Sequence, residues 1–387
     1  MICDACFIAN ASLTGASGVR PLEFRLTRWF LGTPHNRLQQ FDALDGLRGL
    51  AVLIVIGSHL SNYGLLPQPG LSGTGKSGVY LFFVLSAFLL GRILLARPLS
   101  ALTAPRLWAD YLLRRVLRIW PLYLVVLLLS WGLTTAGLPW HYRLDDGALL
   151  RHLTLRDGQS VLWSIPVEFV FYFVLPPLVL ALAWLRGRCP PGGLVALAGL
   201  LLALAMWRWP ASAMAVNDVR LGPYLPVFLC GLLAARIDLA LEEALDRPRI
   251  WTLIALAAVA ACLLMVPSIW SRLNGNAFDP ALNHGWFLAH GLAWATLLLA
   301  LLHGPAWLRR PFAWAPMRLV GIVSFSAYLW HMPVLEFVLW LGGGAWAVLG
   351  PALMLALTLI ASMLSFLLFE RPWRHVRLAH VRPASAG

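Results

Sequence analysis

The chain has 387 residues, of which 60% are hydrophobic and only 12% are Asp, Glu, Lys or Arg. A water-soluble protein of this length could not bury so much apolar surface in one core, so a soluble globular fold and intrinsic disorder are both excluded. The formal net charge is +13. Membrane proteins collect arginine on their cytoplasmic loops, so this charge does not indicate nucleic-acid binding. The composition predicts a protein that crosses a lipid bilayer several times.

Long apolar segments predict an all-α fold with about ten transmembrane helices, separated by clusters of Gly and Pro. The predicted helices lie near residues 47–64, 78–96, 117–136, 161–184, 192–208, 222–237, 250–268, 286–303, 318–340 and 346–369. Residues 1–40 are predicted to be a cytoplasmic leader, 41–374 the transmembrane domain and 375–387 a cytoplasmic tail. Most arginines then fall on the side of the N-terminus, so both termini are predicted to be cytoplasmic. The longest polar connection runs from about residue 137 to 160.

The first predicted helix contains two ionisable side chains in the segment LRGLAVLIVIGSHL, Arg48 and His59. At 100° and 1.5 Å per residue they share one helix face and are about 16 Å apart along the axis. An ionisable group inside a membrane is costly and usually functional, and a buried neutral imidazole can act as a general base. The alternative is structural: His59 donates a packing hydrogen bond, and Arg48 extends to the membrane interface.

The third predicted helix begins with an arginine cluster, in the segment YLLRRVLRIWPLY. Arg114, Arg115 and Arg118 are separated by three or four residues, so their guanidinium groups crowd one end of that helix. Arginine is well suited to phosphate oxygens, and an anion would relieve the repulsion between the three charges. Cytoplasmic anchoring of the helix is the alternative explanation.

The fourth predicted helix has a polar stripe in WSIPVEFVFY. Ser164, Glu168 and Tyr172 are spaced four residues apart, so they line one face. A carboxylate in an apolar span normally faces a cavity or a cationic partner. The spacing therefore favours a functional role for this stripe.

A second polar stripe occurs in the ninth predicted helix, GIVSFSAYLWHMPV. Ser324, Tyr328 and His331 fall on one face at spacings of four and three residues. The last span closes with Glu370 and Arg371, which are interpreted as a marker of the cytoplasmic boundary.

Cysteine contributes little to the functional prediction. Cys3 and Cys6 form a CxxC, but no second pair or histidine accompanies them, so neither a metal nor a redox site is predicted. Cys230 and Cys262 lie in apolar spans, where cysteine usually acts as a small hydrophobic residue.

Taken in order, these blocks resemble the acyltransferase 3 family of integral membrane acyltransferases, which O-acylate sugars and related hydroxyls. The matching blocks are Arg48 with His59, GVYLFFVLSAFLL at residues 78–90, residues 114–123, residues 163–172 and residues 324–331. The resemblance covers about residues 41–374. Tyr80 stands where the family usually has an acidic residue, Ala87 where it has glycine, and Pro166 interrupts the fourth block.

The resemblance implies transfer of an acyl group, usually acetyl, from cytoplasmic acyl-CoA to a hydroxyl of a cell-surface glycan or glycolipid, in a bacterial cytoplasmic membrane. No tightly bound cofactor and no metal are expected. Catalytic roles are expected for His59, Arg48 and Glu168. Acyl-CoA binding is expected at Arg114, Arg115 and Arg118. Acceptor binding is expected at Trp163, Ser164, Tyr172, Ser324, Tyr328 and His331.

A proton-coupled secondary transporter or flippase is the alternative function, because it would use the same intramembrane His, Glu and Arg. Transporters usually contain paired repeats and helices broken in the middle of the membrane. No pseudo-symmetric halves are visible in this sequence, which favours the enzyme.

Overall fold

The computed structural model describes residue 30 and residues 39–186, 188, 191–210, 212, 214–241, 247–342, 349–376 and 378. Most of these residues are helical and none of them lies in a strand, as the sequence predicts. Helices of eight residues or more are numbered here in chain order. They are α1 Gln39–Asn62, α2 Gly75–Leu95, α3 Pro105–Thr135, α4 Asp146–Leu153, α5 Ser164–Arg186, α6 Pro191–Arg208, α7 Leu221–Leu241, α8 Pro248–Leu264, α9 Pro267–Asn274, α10 Phe287–His303, α11 Ala306–Ala313, α12 Ala315–Ile322, α13 Ser324–Trp340 and α14 Leu349–Ser365.

The chain is a multi-pass membrane protein. Six of the described segments are long and apolar enough to cross a bilayer, namely those built on α1, α2, α3, α5, α7 and α14. Three bent pairs raise the number to nine if each pair is one span: α8–α9 bends by 81°, α10–α11 by 109° and α12–α13 by 77°. A helix occurs at each of the ten predicted positions, but α6 is a shorter apolar helix, so the predicted count of about ten spans is not confirmed.

Proline explains two of the three bends. Pro267 is the first residue of α9, and Pro305 precedes α11. Proline cannot donate a helical hydrogen bond and disfavours helical backbone in the residue before it, so the preceding helix ends. The predicted helix at 250–268 therefore ends early, at Leu264. The predicted helix at 318–340 is two helices, with the bend at Val323.

Glycine allows α1 to pack backbone against backbone on α11 and α12. A Cβ placed on Gly321 would lie 1.7 Å from the carbonyl oxygen of Asp45, and one on Gly46 would lie 1.9 Å from the carbonyl oxygen of Phe312. Such close approach between membrane helices requires small residues. These contacts clamp the part of α1 that carries Arg48.

Helix α2 lies between α1 and α7, and glycine again allows the backbones of neighbouring helices to approach closely. A Cβ on Gly78 would lie 2.4 Å from the carbonyl oxygen of Ala51 in α1. One on Gly231 in α7 would lie 2.3 Å from the carbonyl oxygen of Val84. The close packing on both sides holds α2 at the centre of the bundle.

Two helix ends differ from the sequence prediction. Helix α3 begins at Pro105 instead of residue 117, because proline is well accommodated in the first turn. The arginine cluster therefore lies within the helix and not at its end. After α14, the chain continues through a π-helical turn, Phe366–Glu370. Glu370 is buried there. The sequence interpretation of this residue as a marker of the cytoplasmic boundary is therefore wrong.

Several predicted features fall outside the described residues. They are most of the predicted leader, with Cys3 and Cys6, and the end of the predicted tail.

Candidate active site

A cavity lies between α1, α2, α3, α5 and α13. Its polar lining brings together residues from all five of the sequence blocks, including one serine of α2. These side chains are Arg48, Ser86, Arg118, Ser164, Glu168, Ser324 and Tyr328. The remaining wall is apolar, with phenylalanine and aliphatic side chains such as Phe82, Phe83 and Ile165.

One part of the site contains buried cations. Arg48 and Arg118 line the cavity, and the buried Nε atom of Arg48 has no hydrogen-bond partner in the part of the chain that the structure describes. Behind them, Arg115 is only 2% exposed, and its Nε and one terminal nitrogen are also without partners. Its guanidinium carbon lies 5.7 Å from the ring centroid of Tyr172 and 5.9 Å from that of Tyr111. Buried guanidinium groups with unused donors are unfavourable unless an anion reaches them.

Arg114 does not belong to this group. It forms an ion pair of 2.7 Å with Asp110, one helical turn earlier, and Asp110 also accepts a hydrogen bond from the backbone N–H of Leu378. The structure thus separates the three predicted arginines into one at the cavity, one buried behind it and one neutralised.

Glu168 is oriented by two hydroxyl groups. Tyr172 donates to its Oε1 atom at 2.7 Å, and Ser86 donates to the same oxygen at 2.5 Å. Hydrogen bonds from two donors to one oxygen hold the carboxylate in one orientation. Sequence reasoning did not single out Ser86, although it lies in the block of α2 that resembles the family.

Ser164 and Tyr328 connect α5 to α13. Ser164 donates to the phenolic oxygen of Tyr328 at 2.9 Å, and Tyr328 donates its own proton to the carbonyl oxygen of Val161 at 2.7 Å. Ser324, at the start of α13, lines the cavity with a buried hydroxyl for which the described segments supply no hydrogen-bond partner. The polar stripe predicted on this helix thus faces the cavity over its first two residues.

Beyond the cavity, two histidines lie side by side. The imidazole rings of His59 and His331 are 5.2 Å apart between centroids, although neither ring lines the cavity itself. His331 is fully buried, and its Nδ1 lies 2.7 Å from the carbonyl oxygen of Tyr328. A carbonyl only accepts, so Nδ1 carries the proton and Nε2 presents a lone pair, for which no partner occurs among the described residues. Arg48 and His59 thus both face α13, as their shared helix face predicts.

Trp163 lies outside this cavity. Its side chain is only 4% exposed and packs at 4.9 Å between ring centroids against Tyr224. The amine of Lys76 lies 4.5 Å from the Trp163 ring centroid. The structure therefore does not bring Trp163 into contact with the space lined by Arg48 and Glu168.

Glu370 is a second residue that sequence reasoning missed. Ser326 donates to its Oε1 atom, and its carboxyl interacts electrostatically with Arg48 and Arg118. It places a buried acidic group near the cationic part of the site. Its position at the end of a span disguised this role, because acidic residues at span ends are usually exposed to water.

Comparisons with known proteins agree with the resemblance seen in the sequence. The acyltransferase domain family matches residues 41–371 of this chain. The chain is 25% identical to the peptidoglycan O-acetyltransferase of Listeria monocytogenes, over 86% of this chain and 55% of the relative. It is 26% identical to a putative peptidoglycan O-acetyltransferase of Bacillus subtilis, over 78% and 49% respectively. A putative O-acetyltransferase of Staphylococcus aureus is 24% identical, over 88% and 58%.

The chain spans about half the length of these curated relatives. No solved structure matches the chain.

Proposed function

Because the chain belongs to the acyltransferase domain family, we propose that it is a membrane O-acyltransferase. It transfers an acyl group, with acetyl as the first candidate, from acyl-CoA to a hydroxyl of a cell-surface glycan or glycolipid. One observation carries this proposal: buried N–H groups of Arg48 and Arg115 have no acceptor among the described residues, and a pair of imidazoles lies just beyond the cavity that Arg48 lines. The relatives named as O-acetyltransferases support the choice of the acetyl group.

The donor is proposed to bind at Arg48 and Arg118, with Arg115 adding positive charge behind them. The phosphates of acyl-CoA supply the acceptors that the buried N–H groups of Arg48 and Arg115 lack among the described residues, and arginine binds phosphate oxygens through several N–H donors. Arg48 and His59 are about 16 Å apart along α1. A donor must therefore hold its thioester on a long arm, away from its charged groups, as acyl-CoA does. Arg114 contributes to the local positive field only weakly, since Asp110 neutralises it.

His59 is proposed as the general base. It takes the proton of the acceptor hydroxyl, whose oxygen then attacks the thioester carbonyl; the carbon–sulfur bond breaks, and the leaving thiolate takes up a proton. His331, which is paired with His59, would orient it or share the proton. Glu168, Ser164, Ser324 and Tyr328 would position the donor and the acceptor along the cavity wall, and Tyr172 would hold Glu168 in place.

The orientation in the membrane follows from this assignment. Acyl-CoA is a cytoplasmic metabolite, so the part of α1 that carries Arg48 would face the cytoplasm and the end that carries His59 the opposite side. Both termini would then be cytoplasmic, in a bacterial inner membrane, in agreement with the distribution of arginine.

A proton-coupled carrier remains the second candidate, and one observation favours it. The α12–α13 bend of 77° lies directly before Ser324 in the cavity wall, and discontinuous helices beside a buried site are typical of carriers. The family match over residues 41–371 weighs more heavily, because it covers the whole site.

Binding of acyl-CoA separates these two functions. The purified protein should be stabilised against thermal unfolding by acetyl-CoA, by about 3 kcal/mol when the ligand is present at 100 times its dissociation constant. Arg118→Ala should remove most of this stabilisation. Arg106→Ala is the matched control, since Arg106 is exposed on the same helix and does not line the cavity. Absence of stabilisation by any acyl-CoA would contradict the enzyme and favour the carrier.

A cellular experiment identifies the acceptor. The O-acylation of lipopolysaccharide, exopolysaccharide and peptidoglycan would be compared by mass spectrometry with and without the gene. One of these glycans should lose its ester groups, and re-expression of the wild-type chain but not of His59→Ala should restore them.

A further inference from the structure

The polar connection between α3 and α5 contains a second cluster of reactive groups. The Nδ1 atom of His141 lies 3.1 Å from the Glu336 carboxylate of α13, and the Nε2 atom of the same ring lies 2.9 Å from the hydroxyl of Ser160. None of these three residues lines the cavity described above. They therefore form a separate cluster, which neither the sequence blocks nor the proposed acyl transfer accounts for.

The hydrogen bonds of His141 determine which nitrogen carries the proton. An ionised carboxylate only accepts, so Nδ1 donates to Glu336. In the neutral ring Nε2 then presents its lone pair to Ser160, whose hydroxyl donates to it. Hydroxyl, imidazole and carboxylate in this order form the arrangement that activates a serine nucleophile on many unrelated folds.

The neighbours of His141 hold its ring in place. The indole N–H of Trp140 donates to the hydroxyl of Ser130 at 2.9 Å. Tyr142 is fully buried, and its hydroxyl donates to the carbonyl oxygen of Leu329 at 2.9 Å. The residues on both sides of His141 are thus anchored to different helices, as a positioned catalytic base requires.

Ser160 has a strained backbone. Its φ angle is +53°, and Leu155 is the only other non-glycine residue with positive φ in the described part of the chain. The loop is closely packed at this point: a Cβ on nearby Gly158 would lie 2.2 Å from the Cα atom of Trp163. Strain of this kind costs about 1–3 kcal/mol and clusters at functional sites, including the turns that present serine nucleophiles.

The cluster adjoins the candidate active site. Ser160 begins the 3-10 turn Ser160–Trp163, which leads directly into Ser164 of the cavity wall. His141 interacts electrostatically with both His59 and His331. The Glu336 side chain is 43% exposed, whereas that of His141 is 14% exposed. The cluster therefore lies between the histidine pair and the protein surface.

We propose that Ser160 is a nucleophile that carries the acyl group as a serine ester, with His141 as its base and Glu336 as the residue that orients His141. In the first step the Ser160 oxygen attacks the carbonyl of an acyl thioester, His141 takes the hydroxyl proton, the carbon–sulfur bond breaks, and the thiolate leaves with that proton. In the second step an acceptor hydroxyl attacks this ester, which takes the place of the thioester, and gives its proton to His59, the base of the proposed function. The ester bond to Ser160 then breaks, and the proton returns to the Ser160 oxygen.

The thioester donor in this proposal rests on the proposed function, but the reactivity of Ser160 does not. A fluorophosphonate probe tests it alone: the serine oxygen attacks phosphorus, the P–F bond breaks, and fluoride leaves as His141 takes up the proton. The full-length protein in nanodiscs is treated with the probe, and peptide mass spectrometry locates the adduct. Labelling at Ser160 is expected, with a rate about 10²- to 10⁴-fold lower in His141→Gln. Glu336→Gln should also lower the rate, and Ser212→Ala, a change at an exposed serine, should not.

Substitutions at Ser160 separate chemistry from folding. Ser160→Gly removes the hydroxyl but relieves the positive φ, so the melting temperature should be maintained or raised while labelling at this position disappears. Ser160→Cys keeps a nucleophile and should form a thioester adduct with the acyl group. With radiolabelled acetyl-CoA, the wild-type protein should yield an acetyl ester on the Ser160 peptide, and Ser160→Gly should not.

Failure of this inference can be distinguished from failure of the proposed function. A folded protein that is not labelled at Ser160, or that is labelled equally fast in His141→Gln, would overturn the serine nucleophile. Undiminished acyl transfer by Ser160→Gly would also overturn the serine nucleophile, but it would leave the proposed acyl-transfer function intact. Probe labelling at Ser160 without use of any acyl thioester would support the nucleophile and contradict the donor.

Discussion

The two ends of the site present opposite kinds of hydrogen-bonding group: N–H donors at the arginine end and imidazole lone pairs at the histidine end. The arginine end, defined by Arg48, Arg115 and Arg118, has buried N–H donors for which the described residues supply no acceptor. At the histidine end, defined by His59, His331 and His141, both His331 and His141 donate through Nδ1 to an oxygen, which leaves Nε2 as a base. Among the described residues, the Nε2 atom of His331 has no partner, and that of His141 meets a hydroxyl.

This contrast suggests a division of labour. Donors without acceptors indicate where an anionic ligand binds, since leaving buried charged groups unpaired is unfavourable. Lone pairs on neutral imidazoles indicate where protons are removed. If the division is correct, changes at the arginine end should affect binding, and changes at the histidine end should affect turnover.

The largest effect is expected from His59→Ala. Loss of a general base should lower the rate of acyl transfer about 10²- to 10⁴-fold. Stabilisation by acetyl-CoA should be preserved, because the arginine end is unchanged. Acyl transfer by the purified variant is compared with that of a control, His284→Ala. His284 is a half-buried histidine that is hydrogen-bonded to the Met214 carbonyl and lies outside the site. Normal transfer by a folded His59→Ala protein would end the assignment of the base.

Arg118→Ala tests the opposite end. Loss of a charge-assisted contact should weaken donor binding about 10- to 100-fold, seen as a higher KM for acetyl-CoA. The value of kcat should change much less. A fall in kcat at constant KM would contradict the assignment of binding to the arginine end and turnover to the histidine end. Arg106→Ala is again the control.

Gly321→Ala tests whether the arginine end depends on the clamp of α1. The added Cβ would meet the Asp45 carbonyl oxygen, so the helices must separate, at a cost of about 1–3 kcal/mol. Thermal unfolding measures this loss. Gly199→Ala is the control, because a Cβ there meets nothing within 4 Å and alanine favours a helix. Equal melting temperatures for the two variants would contradict the packing described for α1.

The pH dependence of labelling at Ser160 tests the state of His141. Burial lowers the pKa of His141, and the Glu336 carboxylate opposes this through its charge and its hydrogen bond. Labelling needs the neutral ring, so the rate should fall only when the pH drops below the ordinary histidine range, about 6.5. Glu336→Gln removes the group that raises this pKa and should therefore move the acid limb to still lower pH. A shift to higher pH would show that Glu336 does not act on His141.

The smallest effect is expected from Tyr172→Phe. It removes one of the two hydrogen bonds to Glu168, which contributes about 0.5–1.5 kcal/mol. Acyl transfer should fall only a few-fold, because Ser86 still orients the carboxylate. Tyr63→Phe, at an exposed tyrosine, is the control and should leave the rate unchanged. A loss as large as that of His59→Ala would place Tyr172 in the chemistry itself.

The sequence by itself determined the membrane-spanning all-α fold and most of the groups that meet in the site. Apolar runs specify helices directly, because a bilayer requires every backbone group to be bonded within its own segment. Helical spacing then places Ser164, Glu168 and Tyr172 on one face, and in the structure Tyr172 donates to Glu168 while Ser164 and Glu168 both line the cavity. Arg48 and His59 share a face for the same reason.

Only the tertiary structure decided which polar groups are paired. Nothing in YLLRRVLRIWPLY distinguishes Arg114, which is neutralised by Asp110, from Arg118, which faces the cavity. Likewise, 19 to 195 residues separate His141 from the two groups that it contacts. Local periodicity carries no information about contacts between distant segments, which depend on how the helices pack and on where a loop is forced into an unusual conformation. The groups at residues 141, 160 and 336 could therefore be brought together only by the folded chain.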